Sequence, residues 1–272
     1  MNNNKEEKFL EEYDSTSYEK LSLATDVIIF SISTQKRQDY KKLKEKKISV
    51  LLTKRNSYPF KDMWSLPGGF VKIDETIEEA AKRVLKEKTN LGNIYMEQLY
   101  TFGDVNRDPR MRIVSTAYLA LVDKTRIKEK LLKEASWFDI DMEETESAVT
   151  LKFSNEEESF KVKTKKKILN KTSGQFKYIV SKSDNMAFDH AEIIATAINR
   201  IRNKIEYTDI AFNLLGEYFT LGELQQIYEV ILGKELLDPA FRRIIADKVE
   251  KTDKYLNTGG HRPSVLYKYK KK

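Results

Sequence analysis

The amino-acid sequence predicts a mixed α/β (α+β) fold in two domains, and three observations support this. The chain has 272 residues, which is long for one domain and favours two. Over the first 205 residues, β-branched segments typical of strands alternate with amphipathic segments of helical period. Two further helix-start signals and a strand–turn–strand pattern follow, and they predict a small second domain.

The composition excludes several classes of protein and site. Hydrophobic residues make up 40% of the chain, which is enough apolar volume for at least one sizeable core. The chain has no cysteine for disulfides or thiolate sites, and its two histidines are too few for a three-histidine zinc site. No apolar run approaches the ~18 residues that span a bilayer, and the amino terminus lacks the apolar region of a signal peptide. We therefore expect a soluble, cytoplasmic protein without a membrane partner.

The first domain begins with two predicted strands and a loop. Residues 24–33 are β-branched and apolar, which predicts a buried strand, and residues 48–53 predict its partner. Pro67 followed by two glycines predicts a tight loop over residues 62–70.

An amphipathic helix comes next along the chain. Thr76 and Glu79 have the spacing of a capping box, and Asn90 ends the helix near Gly92. Three more strands are predicted at Met96–Phe102, Ile113–Val122 and Ala135–Ile140.

Residues 147–183 differ in pattern from the rest of the first domain. Apolar residues alternate there with polar residues or lysine, which predicts antiparallel strands with one solvated face. The alternating stretches are Val149–Phe153, Phe160–Thr164 and Phe176–Val180. We interpret residues 147–183 as an extra β insertion.

A second amphipathic helix closes the first domain. Asp189 and Glu192 again have capping-box spacing and are expected to open it. We expect His190, in its first turn, to be a surface or packing residue and not a catalytic one. A polar stretch over residues 202–209 marks the domain boundary, which divides the chain into residues 1–205 and 206–272.

The second domain carries the signals of a helix-turn-helix followed by a wing. Thr220 and Glu223 have capping-box spacing at the start of a first helix, and Gly233 ends it. Asp238, as N-cap before a proline, starts a second helix, which in a helix-turn-helix enters the major groove of DNA. Residues 249–269 then predict a strand–turn–strand wing.

The net charge is concentrated in this second domain. The chain carries a formal charge of +7, and residues 240–272 hold ten basic and three acidic residues. The remaining residues hold 39 of each sign, so the whole excess lies near the carboxyl end. This asymmetry favours a polyanionic partner, although a solvated lysine tail would account for the last three residues. Five basic side chains on the second helix and the wing are the candidate DNA contacts: Arg242, Arg243, Lys248, His261 and Arg262.

A glycine loop followed by an acidic amphipathic helix resembles the Nudix box. The family pattern is G-x5-E-x7-R-E-U-x-E-E-x-G-U, in which U is aliphatic. With Gly69 at its first position, Glu75 matches the first glutamate and Arg83 the arginine, whereas a frame that starts from Gly68 fits less well. In the family this glutamate and arginine brace the loop against the helix. The resemblance implies a Nudix-fold mixed sheet with flanking helices.

The metal-binding part of the box is degenerate. The family has glutamate at the positions of Val84, Glu87 and Lys88, where carboxylates on one helix face hold Mg²⁺ against a pyrophosphate. Glu87 is thus the only retained ligand of the box, and the ammonium of Lys88 repels a divalent cation. We therefore expect no catalytic residue, no metal site and no required cofactor. Mg²⁺ would be required only if the chain were a hydrolase.

A second segment, residues 102–112, packs three arginines and two aspartates into one loop. Guanidinium groups suit pyrophosphate and carboxylates suit ribose hydroxyls, although the segment taken alone could equally be a salt-bridged hairpin. It resembles the GD-x-x-RDPR loop of Nudix proteins that recognise ADP-ribose. The two resemblances imply a ligand site formed by Gly68, Gly69, Arg83, Glu87, Asp104, Arg107, Asp108 and Arg110.

The carboxyl-terminal domain resembles the winged helix-turn-helix of Nudix-related transcriptional regulators of the NrtR type. Together the resemblances cover residues 8–140 and 188–268. They imply a repressor of genes of NAD or niacin metabolism that senses ADP-ribose or a related nucleotide. They also imply a homodimer bound to a palindromic operator in double-stranded DNA.

Two other functions stay open at this stage. One is a Mg²⁺-dependent ADP-ribose pyrophosphatase with an accessory winged-helix domain, which would need carboxylates from outside the box. The other is a nucleotide-sensing adaptor whose winged helix docks a protein partner. Turnover of ADP-ribose favours the first, and the absence of both turnover and DNA binding favours the second.

Overall fold

A large mixed β-sheet dominates the computed structural model, which describes residues 3–34, 46–90, 92, 94–127, 131, 133–257 and 263–270. In these residues the sheet strands are β1 Ser22–Thr34, β2 Lys46–Lys54, β3 Trp64–Ser65, β4 Gly68–Phe70, β5 Tyr95–Phe102, β6 Ile113–Leu121, β7 Ala135–Glu144, β8 Ala148–Ser154, β9 Ser159–Asn170 and β10 Gln175–Ser183. The α-helices are α1 Asn3–Glu12, α2 Ile77–Thr89, α3 His190–Lys204, α4 Leu221–Leu232 and α5 Asp238–Ile245. A separate hairpin consists of β11 Val249–Leu256 and β12 Ser264–Tyr269.

The strands of the sheet follow the order β10–β9–β8–β7–β2–β1–β6–β5, and β3 and β4 pair with β2 and β1. β1 and β6 are parallel, whereas the other pairs are antiparallel. Helix α2 packs on one face through Ala81, Val84 and Leu85. Helices α3 and α4 contribute to the core on the other face. The central strands are therefore buried on both sides, which explains their continuous apolar sequence.

The extra strands predicted at residues 147–183 are β8, β9 and β10, which extend one side of the sheet. Buried and exposed residues alternate along β8 and the first half of β9. Phe153, Phe160 and Val162 belong to the same core as α3, while Lys161 and Lys163 lie on the solvent face. The alternation in the sequence thus produces one buried and one solvated face.

Several local predictions are confirmed by hydrogen bonds at helix ends. Complete capping boxes form at Thr76 and at Thr220, where the side chain of the glutamate three residues later returns to the backbone of the cap. Asn90 and Gly233 both end their helices in the left-handed conformation. These features depend only on neighbours in the chain.

Three local predictions are wrong. Residues 62–70 are not simply a loop, because β4 pairs with β1 within them. Asp189 makes no capping bond to α3, since its carboxylate accepts hydrogen bonds from Arg107 instead. Asp238 is the first residue of α5 and not its N-cap, which is Leu237. Helix α1 was not anticipated in the polar amino-terminal segment.

The carboxyl-terminal helices and hairpin pack directly against the first domain. Arg202, near the end of α3, donates from Nε to the carbonyl of Ile231 at 2.9 Å and from Nη1 to Glu144 of β7 at 3.1 Å. Phe219, just before α4, bridges to Tyr267 of the hairpin, which gives the wing a third short strand segment. No helix among the described residues is long and apolar enough to cross a membrane.

Candidate functional site

A cavity of about 580 Å³ opens where β4, the loop after β2 and residues 107–110 meet. Five cationic and three acidic side chains are among its lining residues. They are Lys54, Arg55, Lys88, Arg107, Arg110, Asp26, Asp108 and Glu134. Gly68 and Gly69 form part of its wall. The cavity is of the size that small-molecule ligands occupy, and its excess of positive charge favours an anion.

Gly68 is required by the close approach of β4 to β1. A Cβ atom at this position would lie 2.5 Å from Oδ1 of Asp26 and 2.9 Å from the carbonyl oxygen of Thr25. A Cβ at Gly69 would lie 3.7 Å from a methyl group of Val84, which is an ordinary contact. The first glycine therefore permits the strand pairing, and the second does not have to be glycine for reasons of space.

Arg107 is the centre of a buried ion network at the floor of the cavity. Its guanidinium donates to both carboxylate oxygens of Asp189, at 2.8 and 2.7 Å, and to Asp26 at 3.2 Å. Its side chain is 6% exposed. Asp26 also accepts a hydrogen bond of 2.7 Å from Ser115. Both carboxylates are thereby compensated, and Arg107 fastens the 102–112 loop to α3 and β1.

His190 packs beside this network. Its Nδ1 accepts the backbone N–H of Leu66 at 2.9 Å, and its Nε2 lies 3.6 Å from Asp26. Burial lowers the pKa of His190, which keeps the ring neutral and able to accept at Nδ1. The expectation of a packing residue agrees with this position, which is buried and not at the surface.

Asp108 and Arg110 form a second, more accessible pair on the cavity wall. Arg110 donates from Nε and Nη2 to the carboxylate of Asp108 at 3.0 and 2.8 Å. The ring of Phe188 lies 5.9 Å from the Arg110 guanidinium and 4.8 Å from that of Arg55. Both contacts have cation–π geometry, so an aromatic ring separates two of the cations of the cavity.

Asp104 lies outside the main cavity, in a neighbouring pocket. Its carboxylate accepts hydrogen bonds from Lys177 of β10, and Glu192 of α3 lines the same pocket. Burial, the largest effect, raises the pKa of Glu192 to about 7, although its carboxylate accepts a hydrogen bond from the backbone of Val180. The β insertion therefore contacts the 102–112 loop through Lys177.

Arg83 braces the glycine loop against α2. It donates to both oxygens of Glu75, at 3.0 and 2.6 Å, and to the carbonyl of Phe70 at 3.2 Å. The guanidinium holds the pKa of Glu75 at about 2. Glu87 is paired with Arg83 at 3.4 Å and its side chain is 54% exposed. Neither Arg83 nor Glu87 lines the main cavity, so like Asp104 they stand apart from the predicted ligand residues that do.

The remaining box positions do not form a carboxylate cluster. Val84 is buried in the core between α2 and the sheet. Lys88 is half-buried and lines the cavity at the position where the family pattern has a glutamate. No group of three or more His, Asp or Glu side chains able to hold a metal ion occurs among the described residues.

Several cavity residues were not proposed from the sequence alone. Asp26 lies in a strand whose apolar sequence predicts burial, and Arg55 directly follows the second predicted strand. Phe188 carries a positive φ of 53°, which the sequence does not reveal. A polar residue within an otherwise apolar strand was the available signal for Asp26, since buried carboxylates need partners.

The candidate DNA-binding surface lies on α5. Arg242 and Arg243 are exposed, while Phe241 and Ile245 are buried against α4 and the core. The helix is strongly amphipathic for this reason, and its two arginines are presented together on the solvent side. His261 and Arg262, expected at the tip of the wing, lie outside the described residues.

Lys248, expected on the second helix, lies beyond the end of α5 and forms an ion pair within the chain. Its ammonium is 3.0 Å from Asp209 and 3.3 Å from the carbonyl of Thr208, and its side chain is 13% exposed. Tyr269 of the hairpin also donates to Asp209, at 2.8 Å. Lys248 is thus turned towards the segment that joins the two domains, because Asp209 there supplies a carboxylate partner.

Models of two protein families match the chain. A NUDIX domain is matched by residues 40–156, and an NrtR DNA-binding winged helix domain by residues 211–269. These matches fall on the sheet with its cavity and on the helices and hairpin of the carboxyl-terminal part.

Three known proteins are similar over most of the chain. The "ADPR responsive transcriptional repressor NtrR" of Acinetobacter baylyi is 32% identical over 275 residues, which is 99% of this chain and 90% of the relative. The crystal structure of a MutT/nudix family protein from Enterococcus faecalis is 28% identical, with a TM-score of 0.72 and coverage of 99% of this chain and 94% of that one. The structure of Shewanella oneidensis NrtR complexed with a 27mer DNA is 29% identical, with a TM-score of 0.65 and coverage of 91% and 93%. The chain therefore belongs to the NrtR family of Nudix-related transcriptional regulators.

Proposed function

We propose that this protein is a DNA-binding transcriptional repressor whose Nudix domain senses ADP-ribose or a closely related nucleotide. The observation that carries the proposal is the chain-long similarity to an ADP-ribose-responsive repressor, which includes both the cavity and the winged helix. A cationic cavity in one domain and a pair of exposed arginines on a helix of the other agree with two different anionic partners.

In this proposal the diphosphate of the effector lies against Gly68, Gly69 and the guanidinium of Arg110. Asp108, which holds Arg110 by two hydrogen bonds, keeps that guanidinium oriented and can accept from a ribose hydroxyl. Three other residues, Arg83, Asp104 and Arg107, act as braces that fix the shape of the site through Glu75, Lys177 and Asp189.

The residues at the Nudix box do not fit a catalytic Mg²⁺ ion. Val84 has no ligand atom, Lys88 carries a positive charge, and Glu87 is the one carboxylate of the three positions and is paired with Arg83. We therefore propose a sensor without hydrolase activity, which requires no cofactor. The hydrolase alternative would need carboxylates other than those of the box to assemble around the ion.

On the DNA side, Arg242 and Arg243 would contact phosphates or base edges from α5, and His261 and Arg262 would do so from the wing. Lys248 would act as a brace for the wing through Asp209.

We further propose a homodimer that binds a palindromic operator, since two symmetric recognition helices require two half-sites. The target genes would be those of NAD or niacin metabolism, and the protein would act in the cytoplasm.

An effector releases or strengthens DNA binding only if it has different affinities for two arrangements of the domains. Helix α3 supports such a connection. Asp189, immediately before its first residue, is bonded to Arg107 in the cavity network, and Arg202 near its end is bonded to the carbonyl of Ile231 in α4. A shift of α3 on effector binding would therefore reach the winged helix directly.

Two assays on the purified full chain test the proposal. A gel shift with DNA from upstream of its own gene should give a band that weakens as salt is raised, because phosphate contacts release counterions. Incubation with ADP-ribose and Mg²⁺ should give no turnover at the level of an ordinary enzyme, about 1 s⁻¹ or more. Turnover at that rate would support the hydrolase alternative. If the protein shows no turnover and gives no shifted band, the results would support a protein-docking adaptor.

A further inference from the structure

Among the described residues, two cations of the cavity form no ion pair within 4.0 Å with a carboxylate. Arg107 and Arg110 are paired with aspartates, and Lys54 lies 3.8 Å from Glu158. Lys88 and Arg55 have no carboxylate within 4.0 Å among the described residues. Arg55 instead donates to the backbone carbonyls of Pro59 and Ser57.

These two cations are partly removed from water. Burial, and next to it the charge of Arg110, lowers the pKa of the Arg55 guanidinium, while the carboxylate of Asp108 acts in the opposite direction. Lys88 is half-buried at the end of α2, next to the buried Thr89. A partly desolvated cation without an ion-pair partner is stabilised by an anion that binds beside it, since the charge then gains a partner at short range.

The position of Lys88 is informative because of what the Nudix pattern has there. A glutamate at this point of the box contributes a negative charge that attracts Mg²⁺, and the ion in turn neutralises a diphosphate. Lys88 brings a positive charge to the cavity that Gly68 and Gly69 also line, without a metal ion. In both arrangements a positive charge stabilises the bound diphosphate, since an ammonium group also binds phosphate.

We propose that Lys88, together with Arg55, replaces the divalent cation of Nudix enzymes and binds the diphosphate of the effector directly. This inference rests on the proposed function and names its chemistry: a metal-independent diphosphate site. It follows that binding of the effector requires no Mg²⁺. It also follows that the diphosphate is held by groups that neither activate water nor polarise the phosphorus as a metal ion would.

The test compares effector binding with and without metal in three variants of the full chain. Affinity for ADP-ribose is measured by titration calorimetry in excess EDTA and in Mg²⁺. For the unmodified protein we expect the two dissociation constants to agree within about twofold. Lys88→Gln should weaken binding in both conditions by about tenfold or more, because a charge-assisted contact to phosphate is lost.

Lys86→Gln is the matched control. Lys86 is exposed on the same helix and does not line the cavity, so the same change of charge should alter affinity by less than about twofold. Lys88→Glu, which restores the residue of the family pattern, should bind more weakly than Lys88→Gln in EDTA and recover part of its affinity in Mg²⁺. Thermal unfolding of each variant verifies that the fold is retained.

The outcomes separate this inference from the proposed function. If the unmodified protein binds ADP-ribose only in Mg²⁺, or if the variants at Lys88 and Lys86 behave alike, the inference is overturned while the effector assignment stands. If the unmodified protein does not bind ADP-ribose, the effector assignment is refuted. In that case inorganic pyrophosphate probes the diphosphate site alone, by its effect on thermal unfolding. The inference is supported if pyrophosphate protects the unmodified protein and Lys86→Gln but does not protect Lys88→Gln. It is overturned if pyrophosphate has the same effect on all three proteins.

Discussion

We expect Gly68→Ala to destabilise the fold and to weaken effector binding, whereas Gly69→Ala should do neither to a comparable extent. The two residues are adjacent on β4 and differ in what their missing side chains would meet. The Cβ of alanine at position 68 would lie 2.5 Å from Oδ1 of Asp26. That is about 0.8 Å shorter than the lower end of ordinary contacts between carbon and oxygen.

The neighbouring atoms cannot move away cheaply. Asp26 is held by hydrogen bonds from Ser115 at 2.7 Å and from Arg107 at 3.2 Å. The second close atom, 2.9 Å away, is the backbone carbonyl of Thr25, which belongs to a central strand. Overpacking of this kind costs about 1–3 kcal/mol, and a displaced Asp26 would also loosen the Arg107 network.

Urea unfolding and ADP-ribose calorimetry on the same two variants measure both effects. We expect the urea midpoint of Gly68→Ala to fall and its affinity to drop, with Gly69→Ala close to the unmodified protein in both. Equal urea midpoints for the two variants would refute the argument that the close approach of β4 to Asp26 requires glycine at position 68.

Three further predictions concern buried charge, pH and DNA contacts. Arg107→Leu leaves two buried carboxylates without their cation, so the free energy of unfolding should fall by about 3–5 kcal/mol in a denaturant titration. A change no larger than the experimental error would contradict a stabilising role of the Arg107 network. The pKa of Glu192, about 7 in the fold against an ordinary 4.5, means that the folded state binds its proton more tightly. Stability should therefore decline as pH rises from 4.5 to 7, and Glu192→Gln should remove that part of the decline in urea midpoints measured across the window; an unchanged profile would contradict the raised pKa. Arg243→Ala should reduce the slope of log affinity for DNA against log salt by about 1, whereas Lys248→Ala should leave the slope unchanged and lower the thermal stability; the opposite pattern would reverse the two roles.

Features that depend on neighbours in the chain could be predicted from the sequence. The capping boxes at Thr76 and Thr220, the left-handed end of α2 at Asn90, and the alternating strands of the insertion all follow from local spacing. The resemblance to the Nudix box extends the prediction to the overall fold, because the loop and helix of this motif pack on the sheet of the family.

Features that depend on distant partners could not be predicted in the same way. Asp189 has the spacing of a helix cap, but Arg107, 82 residues earlier in the chain, takes its carboxylate. Lys248 has the spacing of a DNA contact, but Asp209 lies beside it once the domains have packed. In both cases a charged group pairs with a residue that is distant in sequence, and local spacing cannot reveal such a partner.

The positions of the box residues show the same limit. The pattern places Glu75 and Arg83 correctly as a brace, since their spacing across the loop and one helix fixes the contact. It does not reveal that Arg55 and Phe188 come to line the same cavity as the glycines. These residues approach from other strands and loops, which only the tertiary fold brings together.

The most direct test of the account is the affinity of the full chain for its operator DNA as ADP-ribose is titrated in excess EDTA, followed by fluorescence anisotropy. We expect salt-sensitive binding of DNA whose affinity changes by about 5-fold or more at saturating ADP-ribose, without any added metal. An affinity for DNA that does not respond to ADP-ribose, or that responds only when Mg²⁺ is present, would contradict the account.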